Sequence, residues 1–388
     1  MIASRGGIPL VEDGKLIGAI SCSGGATRVM KSRSMSSLCH AQRRACSFTR
    51  LGGFAWRTER VDARRVCGLD CPMKLKPDLY LSLERTQKIV DQAVSGRTVA
   101  MVSNLHGGEI AAVYEIVFAD PANPSLVLKL YPEELQWKMQ KEVSVLELVK
   151  GRLSVSVPCI VLADASKRLI DLNLILVTKL DGSILGRLEA TLSSEQRRSA
   201  YAQIGRLLRE FHGISMEAFG YIGPNGIETP HATNHAYLNH GFARHLRNFV
   251  ERGGRASLAR RVAGYVSDRD HLLSSCTNAV LCHNDLHAGN LLASISDTGL
   301  LLTGVLDFEG ALAGDPLMDV AKAIYYLDAG SRRALLEGYG ETGRRNWSQT
   351  LDLYHLYFVL ELWCWMAQIG NRQPLHGLAL DLERCSAA

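Results

Sequence analysis

The sequence predicts an α+β chain built as two lobes, a small β-rich lobe followed by a larger helical one, behind a poorly ordered N-terminal extension. Three observations predict it. Apolar runs bounded by turn residues recur between residues 110 and 180, as strands do. From Ser193 onward the apolar residues recur with the helical period. Residues 28–75 follow neither period and are rich in Arg, Ser and Cys.

Composition narrows the class. A chain of 388 residues can bury two substantial cores. With 47% hydrophobic and 21% charged residues, it reads as a soluble globular protein. The net charge of +5 is unevenly spread. Residues 1–75 hold 13 Lys/Arg against 5 Asp/Glu, a net of +8, and the rest holds 31 against 34, a net of −3. The two lobes are therefore mildly acidic, which argues against nucleic acid as a partner. Ten cysteines occur, five of them at or before Cys71. The N-terminus carries Gly-Gly and Glu-Asp where a secretory signal needs an apolar core, so reduced thiols in a cytoplasmic protein are expected. The apolar run at Leu356–Ile369 is interrupted by Glu361 and is too short to span a membrane, so it predicts a buried helix and no membrane partner.

Four segments follow in order. Residues 1–27 place two apolar runs around Glu12-Asp13-Gly14-Lys15, which predicts a β-hairpin. Its end, Ser21-Cys22-Ser23-Gly24-Gly25, resembles a fragment of the haem-degrading and glycolate-utilisation small-domain family. So short a match implies a fusion remnant or a mis-called start, since a lone hairpin is marginal in water. Residues 28–75 are expected to be a basic, disordered linker.

Residues 76–180 form the expected small lobe. Ile110–Phe118 and Leu126–Tyr131 read as strands joined by turn chemistry at Asp120-Pro121-Ala122-Asn123-Pro124. Alternation puts Lys129 with Val127 and Tyr131, opposite Leu126, Leu128 and Leu130. Glu133 to Lys150 reads as a helix whose apolar face holds Leu135, Met139, Leu146 and Val149, with Glu142 in its middle. A lone buried carboxylate is costly, so Glu142 needs a partner, and Lys129 on the preceding strand is the nearest candidate. His106-Gly107-Gly108-Glu109 precedes the first strand, and Gly107 and Gly108 would let backbone approach a phosphate closely. Asp171–Leu180 reads as a further strand, ended by Asp181-Gly182.

Residues 181–388 form the expected helical lobe. Ser193 and Gln196 make a capping box for a helix with Ala200, Ile204, Leu207, Leu208 and Phe211 on its apolar face. Gly213 ends that helix, and His212 reads as a packed helix-end residue. Residues 214–240, with His231, His235 and His240, are expected to be an irregular insertion, since those spacings build no zinc site. Phe242–Val250, Ala256–Val266 and Asp268–Ser275 read as helices. After Asp319 the chain is helical and aromatic, with Glu337, Glu341, Asp352 and Glu361 as candidate acceptor-pocket acids.

The chemistry concentrates in one stretch. His283-Asn284-Asp285-Leu286-His287-Ala288-Gly289-Asn290 is followed by an apolar strand ending at Leu306-Asp307-Phe308-Glu309, then Gly314-Asp315-Pro316 and Asp319. A kinase loop uses this order: one Asp takes the hydroxyl proton, an Asn five residues on holds Mg²⁺, and a later Asp holds the metal from a strand end.

From about residue 76 to the C-terminus the chain resembles the aminoglycoside phosphotransferase family, which is similar to choline kinases and to protein kinases. The stretch at 283–290 resembles the family motif H-G-D-L-H-P-G-N, with Asn284 in place of Gly and Ala288 in place of Pro. The resemblance implies a protein-kinase-like bilobal fold and an ATP-dependent transfer of phosphate to a small-molecule hydroxyl. ATP, with GTP as the other donor, and Mg²⁺ are the implied cofactors. It implies Asp285 as catalytic base and Asn290 and Asp307 as metal ligands. It further implies Lys129, positioned by Glu142, on the α/β-phosphates, and the backbone near Thr178 and Leu180 at the adenine. His287 stands where protein-serine kinases often carry Lys, and no A-P-E segment follows, so a small-molecule acceptor is expected rather than a protein. The foremost expectation is an aminoglycoside-type antibiotic. The alternatives are choline-, homoserine-, sugar- or macrolide-type kinases and a non-catalytic nucleotide-binding pseudokinase. A monomer or dimer is expected.

Overall fold

A computed structural model describes residues 8–12, 15–20, 79–105, 111–297 and 299–387. Strands β1 (Ile8–Glu12) and β2 (Lys15–Ile20) pair antiparallel, with Glu12 opposite Lys15. The rest of residues 1–78, including the whole expected linker, lies outside the described residues, as do Gly107 and Gly108.

The small lobe opens with α1 (Leu83–Asp91), capped by Ser82, whose hydroxyl accepts from the Arg85 amide at 3.2 Å. Five antiparallel strands follow: β3 (Val99–Asn104), β4 (Ala112–Phe118), β5 (Leu126–Tyr131), β6 (Ile160–Asp164) and β7 (Asn173–Thr178), in the order β3-β4-β5-β7-β6. The alternation in β5 divides its side chains between two cores. Leu126, Leu128 and Leu130 pack with Ile116, Leu174, Leu176 and the α1 residues Ile89 and Val90. Tyr131 joins Ile175 and Val177 on the opposite face, against Met139, Val145, Leu146 and Val149 of α2 (Gln136–Val149). Leu128 and Leu130 are fully buried, so truncating either to Ala would cost about 2–5 kcal/mol. Central β5 thus holds Lys129 rigidly, between the two cores it separates.

The larger lobe begins after β8 (Ser183–Ile184) with α3 (Leu185–Leu188) and α4 (Ser194–Phe211). The expected capping box is present: the Ser193 hydroxyl accepts from the Gln196 amide at 3.1 Å, and the Gln196 side chain accepts from the Ser193 amide at 2.9 Å. Residues 219–231 correct the expectation of an irregular insertion. Strands β9 (Phe219–Gly223) and β10 (Gly226–His231) form a hairpin closed at Gly223 and Gly226. Gly-Pro-Asn-Gly is a strong turn signal, but Pro and His in β10 obscure the alternation behind it.

Helices α5 (Asn234–Glu251), α6 (Ala256–Asp268) and α7 (Asp270–Leu273) follow. The Thr233 hydroxyl caps α5 by accepting from Ala236 at 3.1 Å, eight residues ahead of the expected start, because a cap and not a run of apolar residues sets the boundary. Short strands β11 (Val280–Cys282), β12 (Leu291–Ser296), β13 (Gly299–Val305) and β14 (Leu312–Gly314) come next. They build two small sheets, β10-β9-β14-β11 and β13-β12-β8. Helices α8 (Pro316–Ile324), α9 (Ala329–Tyr339), α10 (Trp347–Gln368) and α11 (Leu375–Cys385) complete the lobe. Helices α4 and α9 approach closely through glycines, since a Cβ on Gly205 or Gly338 would strike the opposite helix backbone. The Leu356–Ile369 run lies almost wholly in α10, much of it buried, and no described helix is long and apolar enough to cross a membrane.

Candidate active site

Two connections between short strands carry the site. One joins β11 to β12 and holds residues 283–290, and the other joins β13 to β14 and holds residues 306–311. Hydrogen bonds fasten them together. The Leu306 amide donates to the Asn290 carbonyl at 2.9 Å, and the Asn284 side-chain amide donates to the Gly310 carbonyl at 3.1 Å. Asn284 has φ +58°, the left-handed conformation that Asn tolerates where the family motif has Gly.

His283 is fully buried, and burial lowers its pKa despite the nearby carboxylates of Asp319, Asp285 and Asp307. It is therefore neutral near pH 7, and its Nε2–H donates to the Leu306 carbonyl at 3.1 Å. Its ring packs between Phe211 and Phe308, with centroids 5.5 and 5.1 Å away. Asp319, fully buried on α8, accepts from the His283 amide at 2.7 Å and from the Asn284 amide at 2.9 Å. Asp315 caps α8 through the Leu317 amide at 2.9 Å and is itself held by Arg344 and the Tyr354 hydroxyl, at 2.7 and 2.6 Å.

On this frame stand the three central side chains. Asn290 donates to the Asp285 carbonyl at 2.9 Å and to its Oδ2 at 3.3 Å. Burial pushes the Asp285 carboxyl up, but the Lys322 charge foremost, with the neighbouring His287 and the Asn290 hydrogen bond, outweighs it and holds the carboxyl below its ordinary range. The carboxylate is thus ionised at neutral pH and partly open to solvent. Asp307 sits at φ +66°, an uncommon conformation for a non-glycine residue. Among the described residues its carboxylate has no hydrogen bond and no ion pair within 4 Å. The Asp307 carboxylate and the Asn290 side-chain amide oxygen, on two loops joined by the Leu306–Asn290 backbone hydrogen bond, are hard oxygen donors of the kind that suits a divalent cation such as Mg²⁺.

The small lobe brings its own charges to the same place. Lys129 Nζ lies 2.6 Å from Glu142 Oε2, with side chains 14% and 5% exposed. Tyr131 also donates its hydroxyl to Glu142. Burial alone would lower the Lys129 pKa, but the charges of Glu142, Glu309 and Asp307 raise it above the ordinary lysine value. The loop that carries Asp307 meets this lysine through Glu309, two residues on. Glu309 lies 3.8 Å from Lys129 and 3.6 Å from Lys138. Burial and the Asp307 charge still push its carboxyl up, to about 7.

The remaining candidates are less committed. Thr178 ends β7, and its amide already donates to the Cys159 carbonyl at 2.9 Å, so that N–H is not free for a base. Leu180, just beyond, makes no backbone hydrogen bond among the described residues. Glu337 pairs with Arg198 at 3.1 Å. His212, Cys282 and Asp319 have ligand-type atoms within 4.8 Å of one another. Hydrogen bonds to Tyr339, to the Asp315 carbonyl and to the 283–284 amides already occupy them.

Sequence reading passed over Tyr131, Lys138, Lys141 and Lys322. Lys141 is fully buried, with Nζ 3.4 Å from the Tyr221 ring centroid and no hydrogen-bond partner among the described residues. Burial, and then the Lys138 charge, push its pKa down to about 6. The signal was there for Tyr131, which alternates onto the Lys129 face, but none marks which of several helix lysines turns inward.

A family model described as the phosphotransferase enzyme family matches residues 102–353, well over half of the chain. The chain belongs to the phosphotransferase enzyme family. No curated protein matches the sequence significantly. Solved structures of similar fold include the GDP and kanamycin complex of APH(2")-IIia, at 16% identity and TM-score 0.58, covering 79% of this chain and 99% of that one. A thermostable mutant of aminoglycoside phosphotransferase APH(4)-Ia in its apo form aligns at 15% identity and TM-score 0.60, covering 79% and 98%. The streptomycin-ATP-APH(2")-IIa ternary complex aligns at 14% and 0.55, covering 79% and 97%. These likenesses establish the kinase-like bilobal fold of the phosphotransferase. The family match begins at residue 102, so the haem-related likeness of residues 1–27 gains no support.

Proposed function

We propose that this phosphotransferase moves the γ-phosphoryl group of ATP to a hydroxyl of a small molecule, and that an aminoglycoside-type antibiotic is the acceptor class. One observation carries the reading. The ionised Asp285 and the unpaired Asp307 lie on two loops fastened through Asn290, and Glu309, two residues after Asp307, lies 3.8 Å from the lysine of the Lys129–Glu142 pair.

Phosphoryl transfer needs positioning and charge neutralisation more than covalent help. Asp285 accepts the acceptor hydroxyl proton and aims its oxygen at phosphorus. Lys129, kept in place by Glu142 and Tyr131, bonds the α/β-phosphates. Asn290 and Asp307 would hold Mg²⁺, which neutralises phosphate oxygens when bound. The Leu180 backbone would meet the adenine. Residues 107–108 would cover the phosphates. ATP is the proposed donor, with GTP the second candidate, since fold neighbours carry either ATP or GDP.

The test is phosphate transfer by the full chain from MgATP or MgGTP to a panel holding kanamycin, streptomycin, hygromycin B, choline, homoserine and a macrolide, read by mass spectrometry. A phosphorylated aminoglycoside is expected. Phosphorylation of another panel member alone would replace the acceptor class, and no product with any acceptor would overturn the reading.

A further inference from the structure

We infer that Lys322 is a further catalytic residue of this site, placed so that its ammonium contacts the phosphoryl group in flight between nucleotide and acceptor. This rests on the phosphotransferase reading above and adds a residue to it.

The geometry begins at α8. Asp319 on that helix accepts from the His283 and Asn284 amides, so the helix is locked to the loop that carries Asp285. Lys322 is three residues further on, hence on the same helix face. Its Nζ lies 3.9 Å from Asp285 Oδ1, with the side chain only 18% exposed. The ammonium also rests over the Phe358 ring, 5.0 Å from its centroid. One apolar wall and one locked helix therefore fix where this cation stands.

At 3.9 Å the ammonium is too far to donate a normal hydrogen bond to Asp285, and no other carboxylate comes within 4 Å of it among the described residues. Its donors are unspent. A cation beside a base makes that base a weaker proton acceptor, so its placement brings no gain to Asp285 itself. The gain appears when negative charge arrives. The acceptor oxygen must come within hydrogen-bond reach of Asp285, and phosphorus must lie in line behind it. That puts the transferring group next to Lys322. In the step, the acceptor oxygen forms a bond to phosphorus, and the bond from phosphorus to the β–γ bridging oxygen breaks. The electron pair of that bond leaves on ADP, and the acceptor proton goes to the Asp285 carboxylate. Lys322 stabilises the equatorial oxygens while both bonds are partial.

The test compares wild type, Lys322→Met, Lys322→Gln and Lys322→Arg as full chains. The probes are MgATP with water as acceptor and MgATP with kanamycin. Lys322→Met keeps the stem over Phe358, so its melting temperature is expected to match wild type, and Lys322→Gln serves if it does not fold. With Met or Gln, kcat is expected to fall ~10²–10³-fold while KM for MgATP stays within about threefold. The acid limb of the kcat/KM profile should move to higher pH, since Asp285 loses a neighbouring cation, and Lys322→Arg should recover most of kcat. A kcat within about threefold of wild type in Met or Gln overturns the role, as does a loss confined to KM. If wild type leaves kanamycin unchanged, the same comparison is made with whichever panel acceptor it phosphorylates. Wild type that transfers phosphate neither to any acceptor nor to water overturns the phosphotransferase reading, and the role of Lys322 falls with it.

Discussion

Lys129 and Glu142 meet at 2.6 Å in the seam between β5 and α2, the first placed there by strand alternation and the second by helical period. Neither element makes the charge tolerable alone. Replacing Lys129 by Met leaves a buried carboxylate without its cation, at a cost of about 3–5 kcal/mol before relaxation. Glu142→Gln leaves the lysine free to wander. Thermal melting should show the larger loss for Lys129→Met, and Glu142→Gln should raise KM for MgATP by about tenfold with kcat less affected.

Asp285→Asn keeps the shape of the loop and the contact to Asn290 but cannot accept a proton. Turnover with any accepted substrate is expected to fall ~10²–10⁴-fold. Equilibrium binding of ATP, measured by calorimetry, should stay near wild type. Wild-type turnover in this variant would remove Asp285 from the chemistry.

The two oxygens of Asp319 satisfy two consecutive amides of the site loop, that of His283 buried and that of Asn284 partly so. Asp319→Ala leaves both donors unpaired, at roughly 1–3 kcal/mol each. A lower melting temperature is expected together with lower kcat, because α8 and the loop lose their register. A variant of unchanged stability would show that the clamp contributes little.

Glu309 gives a pH prediction. Its carboxyl is pushed up to about 7 in the folded chain, from an ordinary value of 4.5. The folded state therefore binds a proton more tightly than the unfolded one. The stability from this site is full below pH 4.5 and is lost as pH rises through about 7. Measured against Glu309→Gln at each pH, wild type should lose stability between about pH 4.5 and pH 7 and level off above that. A flat difference across that window would mean that Lys129 and Lys138 keep Glu309 ionised throughout.

Much of this was legible in the residues. Lys129 and Glu142 could be picked out because strand alternation and an apolar helix face put charges where they need a partner, whereas Asp285, Asn290 and Asp307 stood out through their kinase-loop spacing and the resemblance to the family motif. The β9–β10 hairpin was not legible, since its second strand is mostly exposed and carries Pro230 and His231. Lys322 was missed for a different cause. A helix lysine is ordinarily a solvent residue, and only the tertiary lock through Asp319 turns it toward Asp285. Sequence periods report which face is buried and stay silent on what a polar face looks at.

The central claim is that Asp307 and Asn290 serve a metal-nucleotide complex seated below Lys129. Calorimetric titration of ATP into the full chain, with and without Mg²⁺, tests it most directly when repeated on Asp307→Asn. Wild type is expected to bind ATP at least about tenfold more tightly with Mg²⁺ present, and the variant to lose that enhancement. Equal enhancement in both proteins would contradict the account.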